Sequence, residues 1–452
     1  MMSSIFTPRR LLRARRPALP AFAALPRLFL VLLFLLGCLQ MAPATAQTIP
    51  DWRTEQWAGT WGAGPAGPPL DSATAVLNSQ TLRLIVHTSV GGSRVRIRLS
   101  NEMGSTILRV GSAHIALRAG SAAAIAAGSD RTLTFSGATS VALAPGAAAL
   151  SDPVALTVPA LADLAVSLYL PGAARVSTLH AAATQISYIS APGNFVNATS
   201  FPTQSTTEQW PFLTEVDVSN GGAFIALGDS ITDGLRSWGN YNYRWPDWLA
   251  RRLQSAGGSN SRLGVVNRGI AGNNLLSNLQ TGSLGGRSAL ERFDRDVLAT
   301  AGARFLFVLS GTNDILNSTT SSPVSADELI AGYRQLIARA HARGIAVFAG
   351  TLPPFEGASY YTAAKELVRQ AANNWIRASA EFDGVVDFDQ LLRDPANPRR
   401  LNPSYDSADH LHPNNAGYQA MGNALPLSWF GGTSAAVTGM EQASQAVVGM
   451  EQ

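Results

Sequence analysis

The residues with the clearest capacity for chemistry are few and far apart. Ser230 sits in GDSITDG, Gly228–Gly234, directly after the apolar run Ala223–Leu227, and Asp409 and His412 sit in DHLHP. A serine hydroxyl becomes a nucleophile when an imidazole removes its proton, and the imidazole works when an acid holds its tautomer. Ser230, His412 and Asp409 can fill those roles. A developing oxyanion also needs fixed donors. The backbone N–H groups of Ser230 and of Gly272, in NRGIAGN, and the side-chain amide of Asn313, in GTND, are candidates. Each group has a plainer reading too. Ser230 and Asn313-Asp314 are ordinary turn residues, Gly272 suits a left-handed backbone, and Asp409 with His410 and His412 can ligate a metal, although a third ligand at convincing spacing is missing. His410 is the rival to His412 as base.

If these groups meet, the elements before them must converge. Apolar strands at 223–228, 263–267, 304–309, 345–350 and 384–388 alternate with segments of helical spacing, which predicts a mostly parallel sheet covered on both faces. In such sheets the crevice lies beyond the carboxyl ends of the strands. GDSITDG, NRGIAGN and GTND each follow a strand, and DHLHP lies in the loop after the fifth. One helix is clearly marked: Ser325 and Glu328 form a capping box ahead of Leu329, Tyr333, Leu336, Ile337 and Ala340 on one face. His341, near its end, reads as a surface residue.

From about Trp52 to Val218 the period is that of strands. Val95, Ile97 and Leu99 alternate with Arg94, Arg96 and Arg98, predicting one buried and one wet face, and Leu164-Val166-Leu168-Leu170 repeats the pattern. Gly91-Gly92 reads as a hairpin turn, further short runs lie at Thr132–Phe135, Val141–Ala144, Val154–Val158 and Gln185–Ile189, and Phe201–Trp210 reads as a polar connection. Many short strands without a helix predict a β-sandwich. His87, His114 and His180 fall in this region and receive no catalytic role.

Charge and cysteine content narrow the function. Six of the 34 basic residues and no acid lie in residues 1–46, leaving 28 basic against 30 acidic residues, so the sequence pI of 9.4 is no argument for a nucleic-acid partner. The arginine-rich start, the apolar stretch Leu28–Leu36 and the small residues Ala44-Thr45-Ala46 predict an export signal over 1–46, with the mature chain periplasmic or extracellular and no membrane span after cleavage. Leu35-Leu36-Gly37-Cys38 loosely resembles a lipoprotein processing site. Cys38 is the only cysteine, so cleavage at Ala46 leaves no thiol for catalysis, zinc or a disulfide. The expected organisation is a β-sandwich-like domain over 47–218, the α/β domain over 219–431 and a tail over 432–452 holding VTGMEQ and VVGMEQ, whose composition reads as disordered.

Thr232 stands where a G-x-S-x-G elbow has its second glycine, which disfavours an ordinary α/β-hydrolase. Instead GDSITDG, NRGIAGN, GTND and DHLHP, in that order, make Phe224 to Met421 similar to the SGNH hydrolases of the GDSL esterase/lipase family. The resemblance implies a flavodoxin-like three-layer domain with a five-stranded sheet, and ester hydrolysis through an acyl-enzyme without metal or cofactor. It makes Ser230 the nucleophile, His412 the base, selected over His410 by the D-x-x-H-P spacing, Asp409 the orienting acid, and Gly272 and Asn313 oxyanion donors. The preceding all-β region, with TLRLIVHTSVGGSRVRIRLSNEMG, resembles secreted bacterial SGNH proteins grouped with xylan-degradation esterases. Short acyl groups, acetyl on carbohydrate foremost, are the expected substrate. No extended amphipathic lid lies between the motifs, and Trp238, Tyr241 and Tyr243 can form an aromatic wall, whereas Trp245 and Trp248 read as helix core. The alternatives are a lipase or arylesterase, and a carbohydrate-binding or surface-interaction protein whose catalytic fold is idle.

Overall fold

Alternating side chains at Val95, Ile97 and Leu99 build the strand Gly92–Ser100, which sits in an antiparallel sheet in the order Trp57–Gly62, Leu213–Ser219, Gly92–Ser100, Ala148–Leu150. The computed structural model describes residues 55–280 and 282–430, so the leader with Cys38 and the tail over 432–452 lie outside the described residues. A second antiparallel sheet runs Thr203–Thr207, Ser187–Pro192, Val76–His87, Asp163–Arg175, Ser112–Leu117, Arg131–Leu133. Leu82, Leu84, Val86, Val166 and Leu168 from this sheet share one core with Val95, Ile97, Leu99, Val216 and Val218 from the first. The N-terminal region is thus mostly antiparallel sheet around one apolar core.

Three local expectations fail here. Gly91-Gly92 is not a hairpin turn, because Val76–His87 and Gly92–Ser100 belong to different sheets. Thr60 draws the intervening segment across: its Oγ1 accepts from Val90 N at 3.0 Å and donates to Val90 O at 2.6 Å. The arginine face of Gly92–Ser100 is not wet either. Arg96 Nε donates to Asp217 at 2.9 Å, Arg98 Nη1 donates to Glu215 at 3.2 Å, both carboxylates are buried, and Arg98 Nη2 reaches the Ala299 carbonyl at 2.5 Å. Nor is Phe201–Trp210 a connection: Thr203–Thr207 is an edge strand and Trp210 is buried in the core. The change of period instead takes only Asn220 and Gly221, between the strands Leu213–Ser219 and Gly222–Gly228.

The second half is the expected α/β domain. Its parallel sheet has the order Leu263–Gly269, Gly222–Gly228, Ala303–Leu309, Ala346–Gly350, Gly384–Val386, which is 2-1-3-4-5 in sequence order. Trp245–Ala256 packs with Asn415–Ala424, and Ala326–His341 with Ala363–Ala378, around a second core that includes Phe224, Trp245, Phe307 and Tyr418. The Ser325–Glu328 capping box forms as expected, and His341 is exposed beside Asp383. Trp57–Gly62 lies against the outer strand Leu263–Gly269. A Cβ on Gly264 would come 2.1 Å from the Gly59 carbonyl oxygen, so the close backbone approach depends on glycine at 264. Among the described residues no helix is long and apolar enough to cross a membrane.

Candidate active site

Three neighbouring strands end level. Gly228 pairs with Gly269 on one side and Leu309 on the other, so Ser230, Gly272 and Asn313 emerge within four residues of one line across the carboxyl edge. Asp229 caps the turn after the first strand, its Oδ1 accepting from Ile231 N at 3.0 Å, and Gly234 closes the turn at φ 93°. A Cβ on Gly228 would meet Thr232 Oγ1 at 2.3 Å and Leu309 O at 2.4 Å, which explains a glycine directly before the acid. Burial raises Asp229 to about 7 in spite of that N–H bond.

Ser230 Oγ lies 2.8 Å from His412 Nε2, and His412 Nδ1 lies 2.8 Å from Asp409 Oδ2. Asp409 Oδ1 also accepts from the His412 and Leu411 N–H groups at 2.8 and 3.1 Å. Burial opposes ionisation of Asp409, but these bonds and the facing imidazole hold it well below the usual carboxylate range. An ionised Asp409 places the proton on Nδ1 and leaves the Nε2 lone pair facing the serine hydroxyl, the tautomer that proton abstraction needs. Ser230 and His412 are 6% and 8% exposed, so the relay is shielded but reachable.

His410 takes no part in the relay. Its backbone is left-handed, at φ 60°, and its Nδ1 lies 2.6 Å from Asp406. Gly272 has the left-handed φ of 80° that its conformational reading called for. Asn313 Nδ2 donates to the Asn273 carbonyl at 2.9 Å, and Asp314 accepts from Leu275 and Leu276 N–H at 2.7 and 2.9 Å. GTND thereby grips the segment that follows Gly272.

The loop beyond the nucleophile carries the aromatic residues. Trp238 and Tyr241 are 62% and 56% exposed, with ring centroids 5.8 Å apart. Tyr243 is half-buried and stacks on Trp248 at 5.2 Å, while Trp245 is fully buried and Trp248 only partly. Asn240 ties the loop to the antiparallel region, accepting from Ile186 N at 2.8 Å and Gln185 Nε2 at 2.9 Å. Arg236 donates to Asp409 Oδ2 at 3.2 Å. Sequence reading missed Arg236, and it also missed His180, which is buried with Nε2 2.9 Å from Asp233 Oδ1. Asp233 is the second acid inside GDSITDG, and that second carboxylate was the available signal for a partner.

A serine, an imidazole and a carboxylate in one hydrogen-bonded line at the carboxyl edge of a 2-1-3-4-5 parallel sheet is the arrangement of a serine hydrolase. Residues 226–420 match the model of the GDSL-like Lipase/Acylhydrolase family, so this part of the chain is a GDSL-like lipase/acylhydrolase domain. Similar solved structures include a lipolytic protein of the G-D-S-L family from Desulfitobacterium hafniense (22% identity, 45% of this chain and 97% of that one, TM-score 0.34). Others are an acylhydrolase from Bacteroides fragilis (22%, 45% and 83%, TM-score 0.33) and a variant of an acetyl xylan esterase from Geobacillus stearothermophilus (22%, 45% and 93%, TM-score 0.36). No curated protein sequence matches the chain.

Proposed function

We propose that the protein is an exported serine esterase that removes short acyl groups, acetyl foremost, from carbohydrate. The observation that carries the catalytic part is the unbroken line Ser230–His412–Asp409. His412 takes the Ser230 proton as Oγ attacks the ester carbonyl. The oxyanion is held by the N–H groups of Ser230 and Gly272 and by the Asn313 amide, and His412 then returns the proton to the departing sugar oxygen. Water, deprotonated by His412, releases the acid from Ser230 by the same path in reverse. Asn313→Ala is expected to lower kcat by about 10²–10³, the scale of one oxyanion donor. His410→Ala is expected to stay within roughly threefold of the parent, as surface replacements usually do. Steady-state rates on p-nitrophenyl acetate check both, and loss of activity in His410→Ala with Asn313→Ala unaffected would reverse the assignments.

The carbohydrate part is supported by the exposed Trp238 and Tyr241, whose faces offer apolar area with polar edges to a sugar ring. Trp238→Ala with Tyr241→Ala is expected to lower acetate release from acetylated xylan by about tenfold, the loss of one to two aromatic contacts, while p-nitrophenyl acetate turnover stays near the parent's. Preference for long-chain p-nitrophenyl esters with no acetate from the polymer would replace this substrate with a lipid. Export is supported by the leader pattern, and the mass of the mature N-terminus tests cleavage after Ala46 against a lipid-modified Cys38.

A further inference from the structure

We infer that His180, from the antiparallel region, is a positioning residue for the catalytic centre: through Asp233 it holds the Ala271 N–H and so orients the adjoining Gly272 N–H. This rests on the reading of Gly272 as an oxyanion donor. One carboxylate makes the link. Asp233 Oδ2 accepts from Ala271 N at 2.9 Å, Asp233 Oδ1 lies 2.9 Å from His180 Nε2, and His180 Nδ1 lies 3.0 Å from the Gly64 carbonyl. Asp233 also ends the turn that begins at Ser230, its own N–H donating to Asp229 O at 2.9 Å. The nucleophile turn and the Gly272 loop are thus joined by one side chain, and that side chain is set by an imidazole 53 residues earlier in the chain.

The protons fix the direction of the link. The Gly64 carbonyl can only accept, so Nδ1 carries a hydrogen. Nε2 faces a carboxylate, so either Nε2 is protonated as well or the acid proton sits on Asp233, and the pair is neutral overall in both cases. Burial opposes a charged ring, yet Asp233 and the Gly64 carbonyl hold the His180 imidazole above its ordinary range. The pair is buried. The His180 ring lies 5.5 Å from the Trp210 ring, and Arg244 lies over the same indole at 5.4 Å while donating to the Ala183 carbonyl and Thr184 Oγ1. A cavity of about 30 Å³, lined in part by His180, Trp210, Asp233 and Arg244, adjoins the pair, so truncation to alanine would enlarge a water-sized space and phenylalanine is the better replacement.

The test compares turnover per active site, which removes any change in the folded fraction. Sites are counted by the p-nitrophenolate released stoichiometrically from a p-nitrophenyl phosphonate, and kcat and KM are then measured on p-nitrophenyl acetate. His180→Phe is expected to lower kcat per titrated site by about 10- to 100-fold, less than outright removal of a donor, with KM little changed. His180→Gln, whose amide N–H replaces that of Nε2, is expected to recover most of that loss. Asp233→Ala is expected to match His180→Phe, and the double variant to be no worse than either, because both act through one link. Should His180→Phe not fold, Asp233→Ala against Asp233→Asn makes the same comparison, since asparagine can accept from Ala271 and donate to Nε2. Parent-like kcat per site in His180→Phe, or in Asp233→Ala where that replaces it, would overturn the inference while leaving the esterase reading intact. A parent protein that releases no p-nitrophenolate and turns over no ester would overturn both.

Discussion

Ser230→Ala is expected to lower kcat on p-nitrophenyl acetate by about 10⁴- to 10⁶-fold, and His412→Ala by a similar factor, with the double variant no slower than either. The reason is geometric. Ser230 Oγ and His412 Nε2 are 2.8 Å apart, and the Asp409 carboxylate occupies the far ring nitrogen, so nucleophile and base form one device that fails as a unit. Residual activity reflects the oxyanion donors and binding alone. Multiplicative losses in the double variant would show that the two act independently, and parent-like turnover in Ser230→Ala would remove Ser230 from the chemistry.

The largest effect on stability is expected at Arg268. Its guanidinium is buried, donating to the carbonyls of Ala63 and Thr214 at 2.9 and 2.8 Å, to Thr300 Oγ1 at 3.1 Å and to Glu215. Burial works against a charged Glu215, but Arg268 and Arg98 keep its carboxyl below the ordinary value, while burial and Glu215 push the neighbouring Asp217 up to about 8. Arg268→Met would leave Glu215 buried beside a second acid, with Arg98 as its remaining cation and the Ala301 N–H as a backbone donor, and a broken buried pair costs about 3–5 kcal/mol. Urea unfolding followed by tryptophan fluorescence measures it. Glu215→Gln in the same background should restore part of the loss by removing the unpaired charge. A loss below about 1 kcal/mol, the worth of an exposed pair, would show that the contact is not desolvated as described.

The four motifs of the candidate site were legible because chemistry constrains residue type. Few side chains can act as nucleophile, base or acid, and GDSITDG, NRGIAGN and GTND each follow an apolar run whose length marks a buried parallel strand. The D-x-x-H-P spacing favours His412 over His410, and the structure places His412 beside Ser230 while the left-handed backbone at His410 turns that ring toward Asp406. What alternation cannot tell is whether a polar face meets water or another surface. Arg96 and Arg98 read as solvated and are instead paired with buried acids. Thr203–Thr207 escaped notice because an exposed edge strand needs no apolar period. His180 escaped because its partner, Asp233, is 53 residues away and the pairing arises only when the antiparallel region meets the parallel sheet.

The most direct test of the central claim is to treat the full chain with a fluorophosphonate, map the adduct by peptide mass spectrometry and follow p-nitrophenyl acetate turnover in the same samples. The expected result is one adduct per chain on the peptide bearing Ser230, with activity falling in proportion to labelling. Undiminished turnover after complete labelling of Ser230, or an adduct on another residue that tracks the loss of activity, would contradict it.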